Sequence, residues 1–163
     1  MAMSNPLDPR RARDRFAAAA AADKPRWNIE PGEESTRTAS LHLYGVVGGY
    51  WGDIDASVLV PAIRGLDVDE LNVYINSPGG DVYDGVAIRN ALRQHAARVV
   101  AHIDGLAASA ASFIACAADE VVMGAFAEIM IHDAWTIAVG NADDMHAVAA
   151  DLDRISDNIA GMY

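Results

Sequence analysis

Three strand-like apolar runs, separated by helix-like stretches, constrain the fold of this 163-residue chain more than any other feature. The runs are residues 41–47, 71–75 and 98–103. Asp53 or Asp55 can cap the first intervening helix, and Asp81 can cap the second, which should extend to His95. Because strands that alternate with helices pair in parallel through right-handed crossovers, the pattern predicts an α/β fold around a largely parallel sheet.

The second half of the domain is predicted to contain shorter helices and strands, followed by one long helix. An alanine-rich helix is expected from about Ala108 to Ala118, followed by short strands at residues 120–123 and 128–132 and another at 136–139. From Ala142 onward, apolar residues recur at steps of three and four, which predicts one long amphipathic helix. Its apolar seam consists of Met145, Val148, Leu152, Ile155, Ile159 and Met162. Such a seam can pack on a partner helix as readily as on its own core.

Composition limits the classes of partner. Residues 1–38 contain seven of the twelve basic residues and are interpreted as a flexible leader, with the folded domain at 39–163. The net charge of −11 argues against nucleic acid or an anionic membrane as partner. No run approaches the roughly 18 apolar residues of a membrane span, and the single Cys116 excludes an internal disulfide. The histidines lack metal-ligand spacing, so neither a metal nor a cofactor is predicted.

Ser109 is the strongest candidate nucleophile. It lies among tiny residues where a strand should give way to a helix, which places free backbone N–H groups beside its hydroxyl. The N–H of Ala110 is a natural oxyanion donor in that position. A plain helix N-cap explains the same serine, and Ser112 is a rival nucleophile. Cys116 is expected to be a small buried hydrophobe.

His132 is the candidate base because it follows the Ser109 helix on a chain that could return toward it. The only lysine, Lys24, lies in the leader, and arginine does not deprotonate to act as a base. Upstream, Asn76-Ser77-Pro78-Gly79-Gly80 is predicted to be a turn, and the amide of Gly80 would face an oxyanion. A structural turn alone would also account for these residues.

Three segments together resemble a known family. Ile-Asn-Ser-Pro-Gly-Gly at 75–80, Gly-Leu-Ala-Ala-Ser at 105–109 and Met-Ile-His at 130–132 resemble signature segments of the Clp protease proteolytic subunit, in order and at similar spacing. The resemblance runs from about Leu41 to Tyr163. It implies a crotonase-like fold of stacked strand–strand–helix units, a C-terminal handle helix, and stacked homo-oligomeric rings around a proteolytic chamber.

The same resemblance implies roles for the candidate residues. Ser109 would be the nucleophile, His132 the base, and the amides of Gly80 and Ala110 the oxyanion hole. A peptide substrate would lie extended along residues 136–140 and the 80–82 edge, in contact with Gly79, Val82 and Thr136.

The chain resembles phage head maturation or prohead proteases more than cellular subunits. Asp133-Ala134-Trp135 follows the histidine where cellular subunits usually carry Gln-Pro, and the Gly-Asp-Val-Tyr-Asp-Gly segment and the long leader are similar to phage proteins. The expected substrates are then capsid or scaffold proteins in the host cytoplasm or the prohead.

The family's third triad member, an acid after the handle helix, has no counterpart before Tyr163. Asp133 should point away from His132, and Asp104 and Asp119 have no supporting pattern. A truncated, weakly active chain is therefore expected. Three alternatives stay open: a cellular subunit that works with an ATP-dependent unfoldase, an acyl-CoA enzyme of the crotonase fold, and a non-catalytic assembly protein.

Overall fold

The computed structural model describes residues 27–32, 36–48 and 53–163 of the chain. These residues form six strands and four helices. The strands are β1 (Trp27–Pro31), β2 (Thr38–Val47), β3 (Glu70–Gly80), β4 (Arg98–Ala108), β5 (Glu120–Met123) and β6 (Glu128–Met130). The helices are α1 (Ala56–Arg64), α2 (Val82–Arg93), α3 (Ala110–Ala115) and α4 (Ala142–Ala160).

The strands form one sheet in the order β1-β2-β3-β4-β5, and β6 also pairs with β4. Only β1, at one edge, is antiparallel to its neighbour, and the other pairings are parallel. The predicted α/β class with a largely parallel sheet is therefore confirmed. Because every parallel strand runs in the same direction, the carboxyl ends of β3 and β4 meet at one edge of the sheet.

The core lies between one face of the sheet and the first three helices. Alternate residues of the central strands are fully buried there, as Leu41, Val73 and Ile103 illustrate. Helical side chains such as Ile88 and Phe113 belong to the same buried cluster. The intervening strand residues form the other face, where the rings of His42, Tyr74 and His102 stack with centroids 4.8 and 4.7 Å apart.

Helix starts follow the predicted caps. The side chain of Asp55 accepts a hydrogen bond from Ser57 N–H, and that of Asp81 accepts from Tyr83 and Asp84 N–H. Asn141 begins α4 with a capping box that is completed by Asp144. Of the seam predicted on α4, Ile159 is buried, whereas Ile155 and Met162 pack only partly against the core.

Several predicted boundaries were wrong. Residues 76–80 are not a turn but the end of β3, where Gly79 and Gly80 pair with Val46 and Val47. The positive φ of 87° at Gly79 and 154° at Gly80 lets this distorted strand continue. The alanine-rich helix has only the six residues of α3, because residues 107 and 108 belong to β4 and pair with β6 instead.

Two strand predictions after residue 127 also needed correction. Strand β6 ends at Met130, so His132 lies in an irregular segment beyond it. Residues 136–139 form no strand, and Ile137 and Val139 are 86% and 97% exposed, with no sheet neighbour to pair with. The end of α2 at Arg93 falls two residues before the predicted one.

The beginning of the domain differs as well. Residues 27–31, assigned from the sequence to the leader, form β1 and pair with β2 from Trp27↔Leu43 to Pro31↔Ala39. The rest of the predicted leader, apart from residues 32 and 36–38, lies outside the described residues.

Among the strands that the structure describes, β5 and β6 are the ones in which every residue is exposed. The segment beyond β6 adds further exposed apolar side chains. The exposed large apolar residues in this region are Val121, Val122, Met123, Phe126, Ile129, Met130, Ile131, Trp135, Ile137 and Val139. Apolar groups in such number at one end of a fold are typical of an interaction surface.

Candidate active site

Ser109 stands alone between β4 and α3 in a constrained backbone conformation. Its φ of 52° and ψ of −124° are rare for a residue with a side chain. The turn is sharp because β4 ends at Ala108 and α3 begins at Ala110, and both chain neighbours of Ser109 are alanines. The Ser109 hydroxyl makes no hydrogen bond to the N–H groups of α3, and the residue is half-buried. The hydroxyl is therefore not used as a helix cap.

Backbone hydrogen bonds hold Ser109 on both sides. Its N–H donates to the carbonyl oxygen of Met130 at 2.8 Å, and its carbonyl accepts from Ser112 N–H at 2.9 Å. Gly79 packs against the same turn so closely that an added Cβ would lie 2.6 Å from Ser109 Cβ and 2.7 Å from Ala110 N. The turn thus fits only against a glycine.

Strand β6 brings His132 to this turn. Ala108 of β4 is in register with Met130 of β6, so the chain reaches His132 two residues beyond the pairing. His132 Nδ1–H donates to the carbonyl oxygen of Asp133 at 2.6 Å. Because a carbonyl only accepts, this bond leaves Nε2 of a neutral imidazole unprotonated and available as a base.

Ser109 and His132 border a single pocket with a free volume of about 40 Å³. The residues that line it are Gly80, Val82, Ser109, Phe113, His132, Ala134, Trp135, Ile159 and Tyr163. The structure thus brings together four of the predicted site residues: Ser109, His132, Gly80 and Val82. Gly79 and Ala110 adjoin the Ser109 turn from outside the pocket lining. Thr136 is exposed and does not line the pocket, where Trp135 stands instead.

The rival nucleophiles are engaged elsewhere. Ser112 is fully buried, and its hydroxyl hydrogen-bonds the carbonyl of Ser109 and the hydroxyl of Tyr163. Ser77 is also buried; it donates to the Gly45 carbonyl at 2.6 Å and accepts from Gly79 N–H at 3.1 Å. Cys116, expected to be buried, instead caps the exposed end of α3. Desolvation raises the pKa of its thiol, which disfavours the reactive thiolate.

None of the carboxylates of the three aspartates considered from the sequence is bonded to His132. Asp119 accepts from Val99 N–H at the start of β4, the end of that strand far from Ser109. Asp104 is hydrogen-bonded to the Tyr44 hydroxyl. Asp133 lines a second groove, between the segment after His132 and α4, rather than the Ser109 pocket. Among the described residues, no carboxylate forms an ion pair with His132.

Sequence reasoning missed five residues of the pocket wall, Ala134 among them. Phe113 lies four residues after Ser109 on the same helical face, a spacing that could have identified it. Ile159 belongs to the predicted seam of α4. For Trp135 and Tyr163 the sequence carries no such signal, since both depend on how the chain after β6 folds back.

Neither a membrane-spanning segment nor a metal centre is found in the described part of the chain. No helix there is long and apolar enough to cross a bilayer. Within the same residues, no three histidine, cysteine, aspartate or glutamate side chains are grouped to hold a metal ion.

Comparison with known proteins gives consistent matches. Residues 59–163 match the protein-family model described as Clp protease. An ATP-dependent Clp protease proteolytic subunit of Pleurastrum terricola is 36% identical over 109 residues, which cover 66% of this chain and 56% of that protein. The corresponding subunit of Deinococcus radiodurans is 33% identical over 96 residues, 58% of this chain and 47% of that protein. Subunit 1 of Synechococcus sp. (strain CC9902) is 34% identical over 92 residues, with 55% and 47% covered. The chain spans about half the length of these curated relatives.

Proposed function

Because the chain belongs to the Clp protease family, we propose that it is a serine endopeptidase in which Ser109 attacks the peptide bond and His132 acts as the base. The observation that carries the proposal is the pocket that both side chains border. Their proximity follows from the β4–β6 pairing, which ends one residue before Ser109 and two residues before His132.

The hydrogen bond of His132 determines which of its ring nitrogens can accept a proton. With Nδ1–H committed to the Asp133 carbonyl, Nε2 of His132 accepts the proton of the Ser109 hydroxyl as Oγ bonds to the substrate carbonyl carbon. The protonated imidazole then donates that proton to the leaving amine. Water repeats the attack on the acyl-enzyme and releases the second product.

Backbone amides at the same edge of the sheet would stabilise the oxyanion. Ala110 is the first residue of α3, so its N–H has no acceptor inside that helix. Gly80 lines the pocket and offers an amide without a side chain beside it. Donors fixed by the fold need no rearrangement as negative charge develops, and loss of one typically slows such reactions about 100- to 1,000-fold.

Labelling with a fluorophosphonate probe, together with cleavage of a fluorogenic peptide, tests the assignment. We expect the wild-type protein to be labelled at Ser109, and Ser109→Ala to lose labelling and cleavage while its circular dichroism is unchanged. Loss of a triad nucleophile lowers kcat on the order of a millionfold in a well-studied serine protease. Ser57→Ala, which removes an exposed hydroxyl from α1, is the matched control and should be labelled normally.

Retained cleavage in Ser109→Ala, or labelling at another residue, would refute the assignment. An acyl-CoA enzyme of the same fold would turn over an enoyl-CoA thioester and remain unlabelled. A non-catalytic assembly protein would show neither reaction.

The finer proposal is a phage head maturation protease that cuts capsid or scaffold proteins in the host cytoplasm or the prohead. It is supported by Asp133-Ala134-Trp135 after the histidine, where cellular subunits usually carry Gln-Pro. The alternative, a cellular cytoplasmic subunit, is supported by the names of the three relatives, each an ATP-dependent Clp subunit. Cleavage of a folded capsid precursor without ATP favours the first, and cleavage that requires an unfoldase and ATP favours the second.

Self-assembly into rings is part of the same proposal. The exposed apolar residues of β5, β6 and the segment that follows would be covered by a second copy of the chain. The substrate is proposed to be an extended protein segment that enters the pocket beside Gly80 and Val82.

A further inference from the structure

We propose that Tyr163 is a specificity-determining residue: its side chain walls the pocket beside Ser109 and restricts the residue cleaved there to those with small side chains. The inference rests on the proposed peptidase function and adds to it the substrate class. The pocket combines apolar side chains in its walls with a small free volume.

The pocket has the character of a side-chain subsite. Phe113, Ile159 and Val82 give it apolar walls, while Ser109 and His132 stand at its border. A substrate residue that enters it therefore lies beside the bond under attack. The free volume of about 40 Å³ is far below the roughly 150 Å³ of a cavity that binds a benzene-sized molecule, so the pocket favours small side chains over large or aromatic ones.

Tyr163 is held in place by a chain of hydrogen bonds. Its hydroxyl lies 2.6 Å from Ser112 Oγ, and the single proton of Ser112 is donated to the carbonyl of Ser109. The hydroxyl of Tyr163 is therefore the donor to Ser112. Burial raises the pKa of the Tyr163 phenol, so it stays protonated and able to donate at neutral pH.

The backbone next to Tyr163 is also anchored. The Arg89 guanidinium of α2 donates to the carbonyl of Met162 at 3.3 Å. Displacing the ring of Tyr163 would leave the fully buried hydroxyl of Ser112 without one of its partners.

The opposite wall is equally fixed. Phe113 is buried, and its ring lies against Gly85, where an added Cβ would come within 2.8 Å of Cε2. The ring has no space to move away from the pocket on that side. A larger substrate side chain therefore meets the buried ring of Phe113 on one side and, on the other, the ring of Tyr163, which is 47% exposed and is held by the bond of its hydroxyl to Ser112.

Peptides that differ only at the residue whose carbonyl is attacked test the proposal. With alanine, leucine or phenylalanine there, we expect the wild-type kcat/KM to be at least about tenfold higher for alanine, the size of effect that one methylene has in a tight pocket. Tyr163→Ala should shift the ratio at least about tenfold toward leucine. Tyr163→Phe keeps the ring and removes the hydroxyl bond to Ser112, so it should shift the ratio less than Tyr163→Ala does.

A wild-type preference for leucine or phenylalanine, or an unchanged ratio in Tyr163→Ala, would overturn the proposal. Failure of the peptidase function has a different signature: no peptide is cleaved, or Ser109→Ala cleaves as well as the wild type.

Binding of p-cresol, followed by NMR at Phe113 and Ile159, gives a readout that needs no catalysis. Apolar cavities of about 150 Å³ bind benzene-sized molecules, so Tyr163→Ala should bind p-cresol in the vacated space and the wild type should not. If both proteins bind it equally, or neither does, Tyr163 is not the wall of the pocket and the proposal is wrong.

Discussion

Ser109 owes its backbone conformation to its neighbours rather than to its own preference. A side-chain-bearing residue in such a region of φ and ψ costs about 1–3 kcal/mol, which the surrounding structure must offset. The offset comes from the hydrogen bonds of Ser109 to Met130 and Ser112 and from the close contact with Gly79. The turn is therefore sensitive to atoms added around it.

Gly79→Ala is expected to damage both the fold and the site. The φ of 87° disfavours a side chain, and the new Cβ would lie 2.5 Å from the Ala108 carbonyl oxygen. We expect the free energy of unfolding to fall by at least about 2 kcal/mol in urea titrations, with loss of Ser109 labelling. Gly65→Ala is the control, since its φ is −83° and no atom comes nearer than 3.4 Å. Equal stability of the two variants would contradict this account.

Tyr44 should titrate unusually late. The hydrogen bond that its hydroxyl donates to Asp104, aided by burial, raises the pKa of Tyr44 to about 12. Because the folded pKa is higher than the unfolded one, the stabilisation is complete below pH 10 and is lost as the pH rises toward 12. Absorbance at 295 nm should show a tyrosine that ionises near pH 12, and Tyr44→Phe should remove this step. An ionisation near pH 12 that survives in Tyr44→Phe, or that is unaffected by Asp104→Asn, would contradict the assignment.

Helix α4 is joined to the site through few contacts. Ser156 Oγ accepts a hydrogen bond from Ala134 N–H at 3.0 Å, two residues after His132. Most of the helix surface is exposed, and Ile159 is its buried residue. The helix is therefore linked to the segment after His132 through this hydrogen bond rather than through a broad packed face.

Ser156→Ala should affect the site more than the fold. The Ala134 amide loses its acceptor, so we expect faster hydrogen exchange at Ala134 and slower labelling of Ser109, with the free energy of unfolding lowered by only about 1 kcal/mol. Asp151→Asn, which removes a surface ion pair with Arg154 on the same helix, is the control and should change little. Unchanged exchange at Ala134 in Ser156→Ala would show that this bond does not position the segment.

Local signals in the sequence correctly predicted the features that depend on local contacts, such as the residues at which helices begin. Asp55 and Asp81 cap the helices for which they were proposed, because a cap acts within three residues of itself. Gly79 and Ala108 were assigned to a turn and a helix on residue preference alone. In the fold, pairing of Gly79 with Val46 and of Ala108 with Met130 overrides that preference.

In the candidate site, too, residues in local motifs could be predicted and residues placed by long-range contacts could not. Ser109, His132, Gly80 and Val82 lie in recognisable segments, and the fold gathers them at one pocket. Thr136 was proposed on the assumption of a strand at 136–139, which does not form because no neighbouring strand pairs with it. Tyr163 could not be found from the sequence, since its contact with Ser112 spans 51 positions.

At the scale of the whole molecule, the uncovered apolar end at β5 and β6 predicts self-association. Ile137→Lys together with Val139→Lys places two charges there at little cost to folding, since both side chains are almost fully exposed. We expect the wild type to associate in sedimentation velocity and the double variant to sediment as a folded monomer. Gln94→Lys with Asn158→Lys, two exposed polar positions elsewhere, is the charge-matched control. A double variant that associates like the wild type would exclude this surface as the interface.

The carbonyl that anchors the Ser109 amide belongs to Met130, in a strand of three residues that are all exposed. A strand so short and so little covered opens readily, and each opening releases the Ser109 turn and the chain leading to His132 together. Anything that shields β6 from solvent would then set the fraction of time for which Ser109 and His132 are held at one pocket. If another copy of the chain covers β6, the specific activity should rise with protein concentration and fall on dilution. Self-association would then activate the protein.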